Sequence, residues 1–283
     1  MTKTRYQTLG KFERNATNED AAVARRRLIA VSDGAGGGGL FADRWSRYLL
    51  SKLPASPIEN AQQLDGWIGE IWESFYNDAE QRAKRLGGME LDKFYDEGAF
   101  ATLAAVWEVD KDKYSWMSYG DSVVFRYDYG SERLETSFGK LTDFSRPPYL
   151  INCKDELNPD GFQHGVFENI QNSIVFVASD ALSHYILMMY RLSLAGKVSK
   201  NKEAEIERLR ASEEIREAAE ASGRNSGLVK KGMSLGVVDF RRDVIDRLRD
   251  AVYDKAKFCK WLSRLRKNGL LGHDDYSLAV MYE

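Results

Sequence analysis

Leu28-Ile29-Ala30-Val31-Ser32-Asp33-Gly34-Ala35-Gly36-Gly37-Gly38-Gly39 is the stretch from which the fold is read. A short unbroken apolar run marks a buried strand, and this one ends on a carboxylate followed by glycines. Such a strand delivers Asp33 to a sheet edge, and glycine lets backbone approach a ligand closely. The expected strand covers Ala21 to Ser32, and a helix is expected from about Phe41 to Leu53. The turn is not a P-loop, because no Gly-Lys-Ser/Thr follows to grip phosphate. The spacing of Gly34, Gly36 and Gly39 matches a dinucleotide fingerprint only because glycine is abundant here. The residues beyond the next helix do not supply the strand and acidic residue that such a unit needs.

Working outward, Arg14-Asn15-Ala16-Thr17-Asn18-Glu19-Asp20 sets an arginine and two acids ahead of that strand. Downstream, Phe176-Val177-Ala178-Ser179-Asp180-Ala181-Leu182 is a second apolar strand running into an aspartate at a helix start. Taken alone, Asp180 is an N-cap. Gly272-His273-Asp274-Asp275-Tyr276-Ser277 places an acidic pair before a last strand, Tyr276 to Tyr282. In isolation that is an ordinary turn. Taken together, these segments put aspartates at the ends of several strands. Converging carboxylates repel one another and are costly to leave ionised without cations between them. An all-oxygen donor set selects Mg²⁺ or Mn²⁺ over zinc. The histidines, His164, His184 and His273, give poor support to an imidazole-rich zinc or iron site.

The remainder of the chain supplies the frame. Leu64, Trp67, Ile68, Ile71, Trp72 and Phe75 recur at helical spacing and predict an amphipathic helix packed on the core. Ala101 to Trp107, Trp116 to Tyr129 and Arg133 to Phe138 read as successive strands. A loop with Pro147, Pro148 and Pro159 is expected as far as about Asn172, then a strand from Ser173 to Ser179 and a helix from Ala181 to Leu194. Lys200 to Ala221 predicts a solvated helix or hairpin arm, with a thin apolar stripe at Ile206, Leu209 and Ile215. Gly223 to Gly236 reads as a flexible link, and Phe240 to Leu265 as one long helix. Runs of strands with helices before and after them point to an α+β fold rather than alternating β/α.

Bulk properties narrow the function. The 283 residues suit one large domain or two small ones, and with 43% hydrophobic and 30% charged residues they suffice for a sizeable core. A net charge of −2 gives no reason to expect nucleic acid or a membrane surface as partner. Cys153 and Cys259 stand far apart without a CxxC pair, which argues against a disulfide framework and suits a reducing cytoplasm. Met1 to Gly10 has no apolar core of a signal peptide. Ile174 to Tyr190 is interrupted by Asp180 and His184 and is short for a membrane span.

The order Arg…Glu-Asp, strand-Asp-Gly-x-Gly-Gly, Gly120-Asp121-Ser122, Ala-Ser-Asp-x-Leu and Asp-Asp-x-Ser resembles the type-2C family of metal-dependent serine/threonine protein phosphatases. The resemblance runs from about residue 14 to 283, and places Gly120-Asp121-Ser122 in mid-strand. It implies a four-layer α-β-β-α sandwich of two antiparallel sheets, as a single catalytic domain over residues 1–283. A charged insertion at about 196–236 would be an arm for substrate or partner. It further implies that Asp33 serves two Mg²⁺ or Mn²⁺ ions, with Asp180 and Asp274 on one, and Glu19 and the Gly34 carbonyl on the other. Asp20 would hold water, Arg14 would grip the substrate phosphate, and Asp143 is the candidate for a third ion. The sequence departs from the family pattern in places. Arg14 lies about one residue further from Glu19 than usual. Ala35 stands where eukaryotic members carry a histidine, Ala181 where a glycine is usual, and Asp275 where an asparagine is usual. The expected substrate is a phosphorylated protein. The alternative is a catalytically silent relative that binds a phosphoprotein without hydrolysing it.

Overall fold

The computed structural model describes residues 2–168, 170–198 and 201–282. The chain begins with β1 (Lys3–Leu9) and a hairpin of β2 (Ala21–Arg25) and β3 (Leu28–Ser32). Three helices follow, α1 (Ala42–Lys52), α2 (Ala61–Leu86) and α3 (Gly88–Glu97). Next come β4 (Phe100–Ala101), β5 (Leu103–Asp110), β6 (Lys113–Tyr119), β7 (Val123–Asp128) and β8 (Arg133–Thr136). They are succeeded by β9 (Ile151–Asn152), β10 (Phe162–Glu168) and β11 (Ser173–Ala178). The last part holds α4 (Asp180–Ala195), α5 (Lys202–Glu220), α6 (Arg224–Met233), α7 (Asp246–Ala251), α8 (Lys255–Lys267) and β12 (Tyr276–Tyr282).

Two five-stranded antiparallel sheets result, ordered β1-β12-β11-β7-β8 and β10-β6-β5-β3-β2. Side chains alternate across a strand, and here both faces are covered. Ile29 and Val31 of β3 join Val175, Val177, Ala279 and Met281 of the other sheet in an apolar layer between the sheets. Ala30 and Leu28 face the opposite way, into a second layer with Trp45, Leu49, Leu64 and Trp67 of α1 and α2. Phe176 and Leu278 turn outward from the first sheet into a third layer with α4, α5, α7 and α8. The order of layers is therefore helix, sheet, sheet, helix. Burial on both faces is why β3 and β11 read as unbroken apolar runs.

Helix ends follow local chemistry. The Asn60 side chain accepts from the Gln63 N–H to start α2, and Gly87, at φ 71°, closes it by donating to the Ala83 carbonyl. α4 is apolar on nearly every face and is buried from Ala181 to Tyr190. Such a helix must be covered on all sides.

Several expectations are corrected. Ala21 to Ser32 is a hairpin and not one strand, with its turn at Arg26-Arg27. Gly120-Asp121-Ser122 is not in mid-strand: it is the crossing from β6 in one sheet to β7 in the other. Gly120 takes φ 98°, which turns the chain there. The region expected as loop contains β9 and β10, and β1 lies in a start that reads as merely polar. The supposed link at 223–236 contains α6. The long final helix is broken at Val252–Asp254, and Asp254 caps α8 by accepting from the Ala256 and Lys257 N–H groups. Among the described residues, no helix is long and apolar enough to cross a membrane.

Candidate active site

Register brings the acids together. Ala21 pairs with Ser32, so Asp20 and Asp33 leave the β2–β3 hairpin side by side at its open end. Ala178 pairs with both Val123 and Leu278, which sets Asp180 beside the Asp121 crossing and the residues leading into β12. Leu9 pairs with Tyr276, so the chain after β1 passes Asp274 and Asp275. Five segments distant in sequence thus end at one edge of the sandwich, between its sheets.

Backbone and hydroxyl contacts hold this edge. The Asp33 N–H donates to Thr102 Oγ1 at 3.1 Å, and the Thr102 N–H donates to the Asp33 carbonyl at 2.8 Å. Ser122 and Thr102 hydroxyls lie 2.7 Å apart. The Ser277 N–H donates to Ser179 Oγ at 3.0 Å, and the Ser179 N–H returns to the Ser277 carbonyl at 3.1 Å. Asp275 is buried and accepts from the N–H groups of Lys11 (2.6 Å) and Glu19 (2.7 Å). It therefore fastens the β1–β2 loop to the start of β12. Two glycines are required for this packing. A Cβ on Gly34 would lie 2.7 Å from the carbonyl oxygens of Glu19 and Ala42. One on Gly36 would collide with both carboxylate oxygens of Glu19, so that side chain rests on the glycine turn.

The electrostatics follow from crowding like charges at low solvation. Asp20 is 1% exposed, and neither of its oxygens has a well-formed hydrogen bond. Burial pushes its carboxyl up to about 7; the nearby Ser179 hydroxyl eases this and the charge on Asp275 adds to it. Asp33 is held well above the ordinary carboxylate range by burial and then by Asp20, Asp180, Asp121 and Asp274. Asp180 is raised likewise by burial, Asp121, Asp274 and Asp20. Burial lifts Asp121 to about 6, with Asp274 adding to it. Glu19 is raised by burial against the opposing charge of Lys11, whose Nζ lies 3.7 Å from Glu19 Oε2. Among the described residues, no group of three acidic, histidine or cysteine side chains forms a ready metal cage. The donor chemistry nevertheless suits a hard cation: all-oxygen, anionic, mutually repelling, and with neither Asp20 oxygen in a well-formed hydrogen bond.

The expected site residues therefore fall into two groups. Glu19, Asp20, Asp33, Gly34, Asp180 and Asp274 share the edge. Arg14 is exposed on the loop between β1 and β2 and makes no hydrogen bond or ion pair among the described residues. Asp143 lies in a short 3₁₀ turn, Leu141–Ser145, where it accepts from the Lys140 N–H at 2.9 Å and meets Arg146 at 3.5 Å. Sequence reasoning misses Lys11, Thr102 and the fastening role of Asp275. Neither Lys11 nor Thr102 belongs to one of the acidic motifs; only strand register brings them to the edge. It misses His184 as well, one helical turn after Asp180. That side chain is buried with both ring nitrogens unpartnered, and burial lowers it to about 4.

Two antiparallel sheets covered by helices are the fold that this chain shares with solved bacterial serine/threonine phosphatases. The serine/threonine phosphatase Stp1 of Staphylococcus aureus superposes with a TM-score of 0.54 at 14% identity, over 100% of this chain and 95% of that one. PstP/Ppp of Mycobacterium tuberculosis gives 0.52 at 16% identity, over 99% of this chain and 97% of its own. A PstP catalytic domain solved with two manganese ions gives 0.50 at 17% identity, over 99% and 98%. The likeness is one of fold. No protein-family model and no curated protein sequence matches the chain.

Proposed function

We propose that this protein is a divalent-cation-dependent phosphomonoesterase that removes phosphate from phosphoserine or phosphothreonine in proteins. The observation that carries this reading is Asp20, buried with no well-formed hydrogen bond to either oxygen, amid aspartates that raise one another. Asp33 would serve two Mg²⁺ or Mn²⁺ ions, Asp180 and Asp274 one of them, and Glu19 with the Gly34 carbonyl the other. Asp143 is a candidate for a third. Support for this choice comes from the two manganese ions of the PstP catalytic domain, which shares the fold. Bound cations would neutralise the carboxylates, acidify water and draw charge from phosphoryl oxygens.

The protein's own groups do the positioning. Asp20 would orient water and receive its hydrogen bond at a carboxylate oxygen. Water oxygen then attacks phosphorus as the ester P–O bond breaks, and the proton that this water gives up, passed by way of the Asp20 carboxylate and solvent, ends on the departing serine or threonine oxygen. Ala35 offers no proton donor for that oxygen. Arg14, exposed and without other partners among the described residues, is free to grip phosphate oxygens with its forked donors. Both cysteines are free thiols, which supports a cytoplasmic setting. Residues 1–283 act in this reading as one catalytic domain, with α5 and α6 as the inserted part.

Hydrolysis of p-nitrophenyl phosphate and a phosphothreonine peptide, with Mn²⁺, Mg²⁺ or EDTA, tests the proposal. Activity that needs metal and is lost in Asp33→Asn supports it. Mn²⁺ binding without turnover of either substrate would favour the silent binding module.

A further inference from the structure

Asp180 and Asp274 border a cavity of about 550 Å³, whose far wall comes from the inserted segment. Asn225 and Leu228 of α6 line it, together with Phe144, His184 and Leu271. Leu228 comes close to the loop that carries Asp274: a methyl on Gly272 would lie 3.8 Å from Leu228 Cδ1 and 3.9 Å from Ala181 Cβ. The Phe144 wall is held by the same insertion. The Leu141 N–H donates to Glu214 Oε1 of α5 at 2.9 Å, and Glu214 Oε2 pairs with Arg191 Nε of α4 at 2.9 Å. Phe144 packs edge-on against His184, with ring centres 5.5 Å apart. α5 is no free arm: Ala211, Ile215, Ala218 and Ala219 are buried in the helical layer.

We propose that this cavity is a specificity subsite, built by the α5–α6 segment, for a large uncharged side chain adjoining the phosphorylated residue of a protein substrate. This rests on the phosphatase reading of the adjoining carboxylates. Because the cavity shares Asp180 and Asp274 with that site, a side chain beside the phosphoester enters it without a detour of the substrate backbone. Phe144, Leu228 and Leu271 offer apolar contact beside the uncharged polar groups of Ser145, Ser222 and Asn225, His273 is turned to Glu13 at 2.6 Å, and the room suffices for an aromatic ring. An acidic side chain would meet Asp180 and Asp274. A basic one would compete with cations for those same carboxylates. The His184 imidazole, kept neutral by its burial, adds no charge to select either sign.

Phosphothreonine peptides carrying Phe, Ala, Glu or Lys beside the phosphorylated residue, assayed on the full chain with Mn²⁺ alongside p-nitrophenyl phosphate, test this. The Phe peptide should exceed the Ala and Glu peptides in kcat/KM by about tenfold or more, mainly through KM. Leu228→Trp and Asn225→Trp, which fill the cavity, should erase that preference while p-nitrophenyl phosphate hydrolysis stays within about twofold. Equal hydrolysis of the peptides by the wild type, or a preference that survives in both folded variants, would overturn the subsite. Loss of turnover on every substrate would instead overturn the phosphatase reading. Affinities of the same fluorescent peptides, read by anisotropy, then decide the subsite independently: tighter binding of the Phe peptide supports it and equal affinities reject it.

Discussion

The substitution Asp20→Asn should make the cation-free protein less sensitive to alkali. Burial raises the Asp20 carboxyl from 3.8 to about 7 in the folded chain, so the fold binds this proton more tightly than the unfolded chain does. As pH rises from 5 to 7, the unfolded chain has already released the proton and the folded chain still holds it. Stability therefore falls with rising pH, by about 1.4 kcal/mol per unit and about 3 kcal/mol across the window, then levels off above pH 7. An asparagine amide has nearly the same shape as the carboxyl and does not titrate. Asp33 and Asp180 add slope of their own to both proteins, and loss of the Asp20 charge eases theirs in the variant, which moves the difference between the two curves in the same direction. Urea unfolding in EDTA at half-unit steps from pH 5 to 8 measures it. The variant should gain about 3 kcal/mol on the wild type between those limits. Millimolar Mn²⁺ at pH 8 should restore much of the wild-type loss, because cations that bind only the folded state stabilise it by mass action. Parallel pH curves for the two proteins would refute the claim that Asp20 is ionised at a steep cost in the fold.

Further outcomes are expected at the glycine turn, Lys11 and Asp275. Gly36→Ala forces aside only the end of the Glu19 side chain, so it should leave the fold intact yet weaken Mn²⁺ binding roughly tenfold by calorimetry. Gly34→Ala meets backbone oxygens and should instead cost about 3 kcal/mol of stability. Lys11→Met removes the cation nearest Glu19 and should tighten Mn²⁺ binding about two- to fivefold; unchanged affinity would show that Lys11 does not compete with metal. Asp275→Ala strands the Lys11 and Glu19 N–H groups and should destabilise the protein by about 3 kcal/mol in a denaturant melt, in EDTA as in Mn²⁺.

The separation between sequence and tertiary structure can be traced residue by residue. β3 and β11 are legible because each is a short apolar run buried on both faces that ends beside an aspartate. α2 is legible from its aromatic stripe. The turn at Arg26-Arg27 is not, because neither residue is a turn former. The crossing at Gly120 is hidden inside an aromatic-rich run from Trp116 to Tyr129. There a single positive-φ glycine sends the chain from one sheet to the other. α5 looks solvated because its buried face is mostly alanine, at positions 211, 218 and 219, which carries little hydropathy. The largely apolar surface of α4, against which those alanines pack, explains why that face is covered.

The sequence by itself determined the acidic ligand candidates and their attachment to strand ends, because alternation, glycine turns and carboxylates are local facts. Tertiary structure alone decided which of those candidates share one edge. Pairing of Ala21 with Ser32, of Ala178 with Val123 and Leu278, and of Leu9 with Tyr276 is a property of register between distant segments. Arg14 and Asp143 could be named from motif order, but their surroundings depend on how each loop folds back. The cavity between Asp180, Leu228 and Phe144 was out of reach for the same reason. It is enclosed by the start of α4, by α6 and by the Leu141–Ser145 turn, and the last two pack against α4.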